Sequence, residues 1–143
     1  MARVQDIVQD RVLFHVDENE TVAGVARRMA ELHVGAIMVL REGELSGVFS
    51  ERDIMLRVVL GRLDPETTPV SAVMSTQVST VDETADLEEA LEAMHNHNCR
   101  HLPVMRQGRA VGFLSMRDLM DYQLARQTEE LRHMHAYIHG AGQ

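Results

Sequence analysis

A chain of 143 residues has room for one ordinary domain, or for one domain built from two half-domains. Its formal net charge of −8, with 14 basic residues that are all arginine, argues against a phosphate-backbone or anionic-lipid partner. The absence of lysine also removes Schiff-base chemistry and a P-loop lysine, and the single Cys99 excludes an intrachain disulfide. Hydrophobic residues make up 45% of the chain and aromatic ones only 3%, so aliphatics and ten methionines must fill the core. The N-terminus has no apolar signal region and no run approaches a membrane span, so a soluble cytoplasmic protein is the expectation.

In chain order, residues 4–8 form a short amphipathic piece, too brief to stand alone. A strand is predicted over 12–16, and polar and acidic residues at 17–21 cap a helix over 21–33. Val22, Val25, Ala26, Met29, Ala30 and Leu32 give that helix one apolar face, and Gly35 is expected to end it. The unbroken apolar run 36–40 reads as a strand buried on both faces, followed by a hairpin turn at 41–44 and a returning strand over 45–50. A helix over 50–60 and a linker over 61–69, with Pro65 and Pro69, close the first half.

The order then repeats. A short helix is predicted over 70–74, strands over 78–81, 101–105 and 110–115, a helix over 85–96, and a helix from Met116. Residues 117–138 read as one long helix or two, with Leu119, Tyr122, Leu124, Leu131, Met134 and Ile138 as its apolar contacts and Gly140-Ala141-Gly142 fraying the end. The two halves share a fixed offset of 65 residues, which carries Gly47, Ser50, Arg52 and Asp53 onto Gly112, Ser115, Arg117 and Asp118 (112 − 47 = 118 − 53 = 65). Neither unit is large enough to bury a good core alone, so the two are expected to pack together.

The doubled Gly-x-x-Ser-x-x-Asp at a strand-to-helix junction, together with Arg100-His101-Leu102-Pro103-Val104, closely resembles the CBS-domain family of cystathionine-β-synthase-type modules. The resemblance spans nearly the whole chain up to about residue 125 and implies an α/β (α+β) fold of two βαββα repeats packed as a pseudo-two-fold pair. The expected division is 1–65 for the first repeat with an N-terminal strap, 66–125 for the second, and 126–143 for a C-terminal helical extension.

Physically, Ser50-x-x-Asp53 and Ser115-x-x-Asp118 are capping boxes. They also suit a ribonucleotide. Free N–H groups at a helix start favour an anion, Arg52 and Arg117 add planar donor forks for phosphate, and an ionised aspartate accepts from a ribose diol. Apolar strand residues Ile37, Met38, Leu102 and Pro103 could sandwich a base. The resemblance implies an adenine nucleotide in one or both of two clefts. Asp53 and Asp118 would then hold ribose, Ser50 and Ser115 would face ribose or phosphate, Thr80 would lie near the base, and Arg100 and His101 near phosphate. His15 stands where Thr80 stands in the second copy, and Gly35-Ala36 replaces Arg100-His101, so the two clefts are expected to differ.

His95, His97, Cys99 and His101 form a tempting metal cluster, but His95 and His97 point in different directions at a helix end. Cys99 reads as a small buried hydrophobe and His97 as a surface residue. His135 and His139, four apart, read as exposed. No metal site, cofactor or catalytic residue is therefore expected, and no enzyme. The function expected is a stand-alone CBS-pair sensor of an AMP-, ADP- or ATP-like nucleotide, homodimeric through its CBS helices, signalling through a partner or an oligomer change. The alternative is a ligand-free interaction or dimerisation module, with a Cys99 redox or metal sensor behind it.

Overall fold

The computed structural model describes residues 2–141, with side-chain surroundings for 2–139. Its elements are α1 (Val4–Val8), β1 (His15–Asp17), α2 (Val22–Leu32), β2 (Ala36–Arg41), β3 (Glu44–Ser50) and α3 (Glu51–Asp53), which continues as a π-helix over Ile54–Val59. A 3₁₀ turn (Val70–Ala72) leads into β4 (Val81–Asp82), α4 (Leu87–Asn96), β5 (His101–Arg106), β6 (Arg109–Ser115) and α5 (Met116–Ala141). Each half carries a three-stranded mixed sheet, β1-β2-β3 and β4-β5-β6, with the first pair parallel and the second antiparallel. The α/β architecture of two repeats is as the sequence implies.

Local chemistry repeats with the fold. Glu42 and Gly43 (φ +51° and +83°) form a primed hairpin turn that Gln107 and Gly108 (φ +49° and +81°) reproduce. Thr21 Oγ1 accepts from Gly24 N at 3.2 Å to start α2, and Asp86 Oδ1 accepts from Glu89 N at 2.8 Å to start α4. Glu18 pairs with Arg41 and, 65 residues on, Glu83 with Arg106, closing the same end of each sheet.

Several boundaries differ from expectation. The first strand of each half is short, His15–Asp17 and Val81–Asp82, because residues just before it run past the sheet edge into the space between the halves. Helix α2 stops at Leu32, with His33 taking the left-handed conformation (φ +56°) that was expected to fall to Gly35. Helix α5 is continuous, and it runs through Gly140 and Ala141, which were expected to fray; Gly142 lies outside the described residues. Of its predicted apolar contacts Leu119 is buried and Tyr122 half-buried, while Leu124, Leu131, Met134 and Ile138 are exposed.

The core sits in two clusters whose membership crosses between the halves. Val70, Val73 and Met74, which precede the sheet of the second repeat, pack among Val16, Val25, Ile37 and Phe49 of the first. Val4 and Val8, which precede the sheet of the first repeat, pack among Val104, Leu114, Met94 and Leu119 of the second. Backbone bonds fix both straps: Val4 N donates to Ala85 O and Gln5 N to Glu83 O, while Val70 N donates to Glu20 O and Ser71 N to Glu18 O. The repeated glycines are the seats for these straps. A Cβ on Gly47 would meet Ser75 O at 2.6 Å and Met74 Sδ at 2.8 Å, and one on Gly112 would meet Val8 Cβ at 2.9 Å.

Gly47→Ala and Gly112→Ala are therefore expected to destabilise the fold by about 1–3 kcal/mol each, through overpacking of a strap that cannot retreat. Urea midpoints measure this, and unchanged midpoints in both variants would contradict the tight seating.

Candidate functional site

Two clefts lie between the halves, each assembled from both. The first, of about 1200 Å³, takes Ser50, Arg52 and Asp53 from the β3–α3 junction and Gln77, Val78 and Ser79 from the approach to β4. The second, of about 980 Å³, takes Ser115, Arg117 and Asp118 from the β6–α5 junction and Val12, Leu13 and Phe14 from the approach to β1. Arg100 and His101 line both.

Both capping boxes are formed. Ser50 N donates to Asp53 Oδ2 at 3.0 Å and Asp53 N to Ser50 Oγ at 3.3 Å; Ser115 N donates to Asp118 Oδ2 at 2.8 Å and Asp118 N to Ser115 Oγ at 3.0 Å. Each aspartate thus commits Oδ2 to its helix and keeps Oδ1 for other partners. The two Oδ1 atoms fare differently. Asp53 Oδ1 accepts from Ser75 Oγ at 3.4 Å and lies 3.7 Å from Arg57 Nε, whose Nη1 is occupied by Val73 O and Met74 O. Asp118 Oδ1 is held at 2.9 Å by Arg11 Nη1.

Around these carboxylates stand guanidinium groups without carboxylate partners. Arg52, Arg100 and Arg117 are exposed and enter no ion pair among the described residues. The first cleft therefore holds Arg52 at a helix start and Arg100 just before β5, with Glu51, Glu88 and Glu92 also on its wall; the second holds Arg117 at a helix start, Arg100 and Arg11, with Asp121 also on its wall. Such guanidinium groups suit an anion with planar or tetrahedral oxygens.

Other residues singled out in the sequence are placed unevenly. Ile37, although buried, lines the second cleft. Met38, Leu102 and Pro103 are buried within β2 and β5 and line neither. Thr80 is exposed just before β4 and also lines neither, its neighbours Val78 and Ser79 facing the first cleft instead. Arg11, Phe14 and Ser75 escaped sequence reasoning because they lie outside the repeated motif. The one available signal was Phe14, a scarce aromatic that the offset pairs with a serine, Ser79.

His101 sits where the clefts meet, its ring stacked on Phe113 with centroids 5.3 Å apart. Burial pushes its pKa below the ordinary 6.5, aided by Arg100 and opposed by the carboxylates of Asp118 and Glu51. Cys99, which borders the first cleft, is half-buried, and burial raises its thiol pKa, so the thiolate is disfavoured. His97 is exposed at the end of α4. Among the described residues no three His, Cys, Asp or Glu side chains come together as metal ligands.

The His101 shift has a definite sign. Below 6.5 the unfolded imidazole gains a proton that the folded one resists, so this contribution to stability is full above 6.5 and is lost as pH falls toward the folded value. The stability advantage of the wild type over His101→Asn, from urea unfolding, is expected to shrink between about pH 7.5 and 5.5. A constant advantage would mean that the imidazole is not desolvated.

This paired arrangement is that of a known module. The CBS domain model matches residues 4–60 and again 70–125. The chain is 35% identical over 128 residues to the CBS domain-containing protein YhcV of Bacillus subtilis (strain 168), covering 90% of both proteins. A solved protein with CBS domains from Burkholderia ambifaria MC40-6 superposes with a TM-score of 0.83 at 29% identity, covering 88% of this chain and 96% of that one. The CBS domain protein PAE2072 from Pyrobaculum aerophilum, solved in complex with AMP, superposes with a TM-score of 0.73 at 31% identity, covering 82% of this chain and 89% of that one. With both halves matched and the two sheets, straps and clefts in place, the chain belongs to the CBS domain family as a tandem pair.

Proposed function

We propose that this CBS pair is a regulatory module that binds an adenine nucleotide in the first cleft and signals through the arrangement of its halves. The observation that carries the proposal is the pair of guanidinium groups without ion-pair partners, Arg52 and Arg100, beside Asp53, whose Oδ1 lies outside its cap and has only long contacts, Ser75 Oγ at 3.4 Å and Arg57 Nε at 3.7 Å. In a chain of net charge −8, an arginine without a carboxylate partner at a helix start, Arg52, and a second before β5, Arg100, favour an incoming anion. Asp53 Oδ1 accepts from the ribose diol, Arg52 and Arg100 meet the phosphates, and Val78 with Leu91 supplies apolar wall for the base. The AMP-bound relative supports this choice of ligand class. The role is one of binding without chemistry: ligand spanning segments of both repeats favours one arrangement of them by differential affinity.

The second cleft is the weaker site in this proposal. There Arg11 holds Asp118 Oδ1 at 2.9 Å, closer than the 3.7 Å between Arg57 and Asp53 Oδ1, and a ribose must displace it. A second reading, a ligand-free interaction module, is favoured by one specific observation: both capping boxes are complete in the protein alone.

Titration calorimetry of nucleotide-stripped protein with AMP, ADP and ATP separates the two. Asp53→Ala is expected to weaken adenylate binding by at least about tenfold, equivalent to about 1.4 kcal/mol, and Asp118→Ala by less. Both substitutions also remove a cap and lower apo stability by about 0.5–2 kcal/mol. Folded, stripped protein that binds no adenylate, with both variants showing only the stability loss, would leave the interaction module as the function. A saturating adenylate at a hundred times its dissociation constant should also stabilise the wild type by about 2.7 kcal/mol in thermal unfolding.

A further inference from the structure

Helix α5 spans 26 residues, about 39 Å, and most of it touches nothing. From Gln123 to His139 every side chain is exposed. A solvent-bathed segment of that length is only marginally helical in water without packing. Yet its apolar residues are ordered. Met120, Leu124, Leu131, Met134 and Ile138, with Gln127 completing the series, recur at spacings of four, three, four, three and four residues. That is a heptad seam, with Leu124, Leu131 and Ile138 at a positions and Met120, Gln127 and Met134 at d positions. Leu131, Met134 and Ile138 are 60%, 60% and 62% exposed, too much apolar surface on one stripe for a helix that merely decorates the molecule.

We propose that α5 pairs with α5 of a second copy of this chain as a parallel, in-register, two-stranded coiled coil. Three features select a second copy over an unrelated partner. The seam carries no charge, so it meets itself without burying like charges. Its one polar member, Gln127, has a side-chain amide that both donates and accepts, and it finds its own equivalent only when the helices run parallel and in register. Glu130 and His135 occupy g and e positions five residues apart, the spacing at which a parallel pair brings g of one helix against e of the other, twice by symmetry. His135 Nδ1 lies 3.3 Å from His139 Nε2 on its own helix, leaving His135 Nε2 for Glu130 of the second copy. Arg126, Glu129, Arg132 and His133 fall on the outer b, c and f positions and stay in water. The proposal rests on residues 120–138 and stands independently of nucleotide binding.

The test uses the full chain in a Cys99→Ser background and reads mass by sedimentation. The wild-type sequence is expected to be a dimer at micromolar concentration. Leu131→Glu places an unpaired charge in the seam and should raise the dimer dissociation constant on the order of a hundredfold. Its urea midpoint, read at a concentration where both proteins are monomeric, stays unchanged because Leu131 is 60% exposed and belongs to neither core cluster. Gln127→Leu should tighten the dimer, and Gln127→Cys should form an interchain disulfide on oxidation, since equivalent d positions face each other only in the parallel register. A monomeric wild-type chain, a dimer indifferent to Leu131→Glu, or failure of Gln127→Cys to cross-link would each overturn the proposal.

Discussion

The exchange of straps is the constraint on which the rest depends. Each repeat lacks a piece of its own core and takes it from the segment that precedes the other. Val4 and Val8 fill the second sheet; Val70, Val73 and Met74 fill the first. Burying each such aliphatic side chain is worth about 1.5–3 kcal/mol, so the five together are comparable with the whole margin of stability of a domain this size. Neither half can therefore be folded and independent. The straps also bring the approaches to β1 and β4 across the molecule, and this is why each cleft combines the helix start of one repeat with the first-strand approach of the other.

Much of this was legible in the sequence, for a physical reason. A repeat read at a fixed offset carries turns, caps and core positions together, so the hairpin at Gly43 explained that at Gly108, and Ser50 with Asp53 explained Ser115 with Asp118. What stayed hidden lies outside the repeat's register. The strap bonds relate Val4 to Val70, an offset of 66 (70 − 4 = 66), so a residue is gained between strap and strand and the exchange leaves no trace in the alignment of the halves. Arg11 belongs to that same irregular segment and pairs with Asp118 more than 100 residues away, a contact that no local pattern encodes. Thr80 failed to reach a cleft for a related cause: the strand begins three residues later than its composition suggests, at Val81, and Ser79 and Val78 line the first cleft in its place.

The pseudo-symmetry breaks where function would want it to. The backbone frames of the clefts are near-copies, but their charges are not. Asp53 is buried, with Arg57 from its own half and Ser75 from the strap before β4 beside it; Asp118 is more open and faces an arginine from the opposite half. Immediately after Asp53 the helix widens into π geometry over Ile54–Val59, and Arg57 on that stretch binds the carbonyls of Val73 and Met74 in the strap. The same turn therefore touches the first cleft and the strap that completes the first core. After Asp118 the helix stays regular, and it runs outward as α5 instead of holding a strap. One cleft is wired to the core and the other to the exposed helix.

That second wiring gives α5 its importance. Met120 and Leu124 line the second cleft, and they are also the first two residues of the heptad seam. Met116, Arg117 and Asp118 from the same helix's first turn share the cleft wall, so its contents meet a rigid rod about 39 Å long at its base. A small rotation of that rod displaces its far end by much more than its near end. Arg11, reaching from the first half to Asp118, ties the base of the rod to the strap whose Val4 and Val8 fill the second core. The second cleft, the hold of Arg11 and the base of α5 thus meet at one carboxylate, Asp118. Any anion that released Arg11 from Asp118 would therefore act at the base of α5, a differential contact of the kind that shifts one arrangement toward another.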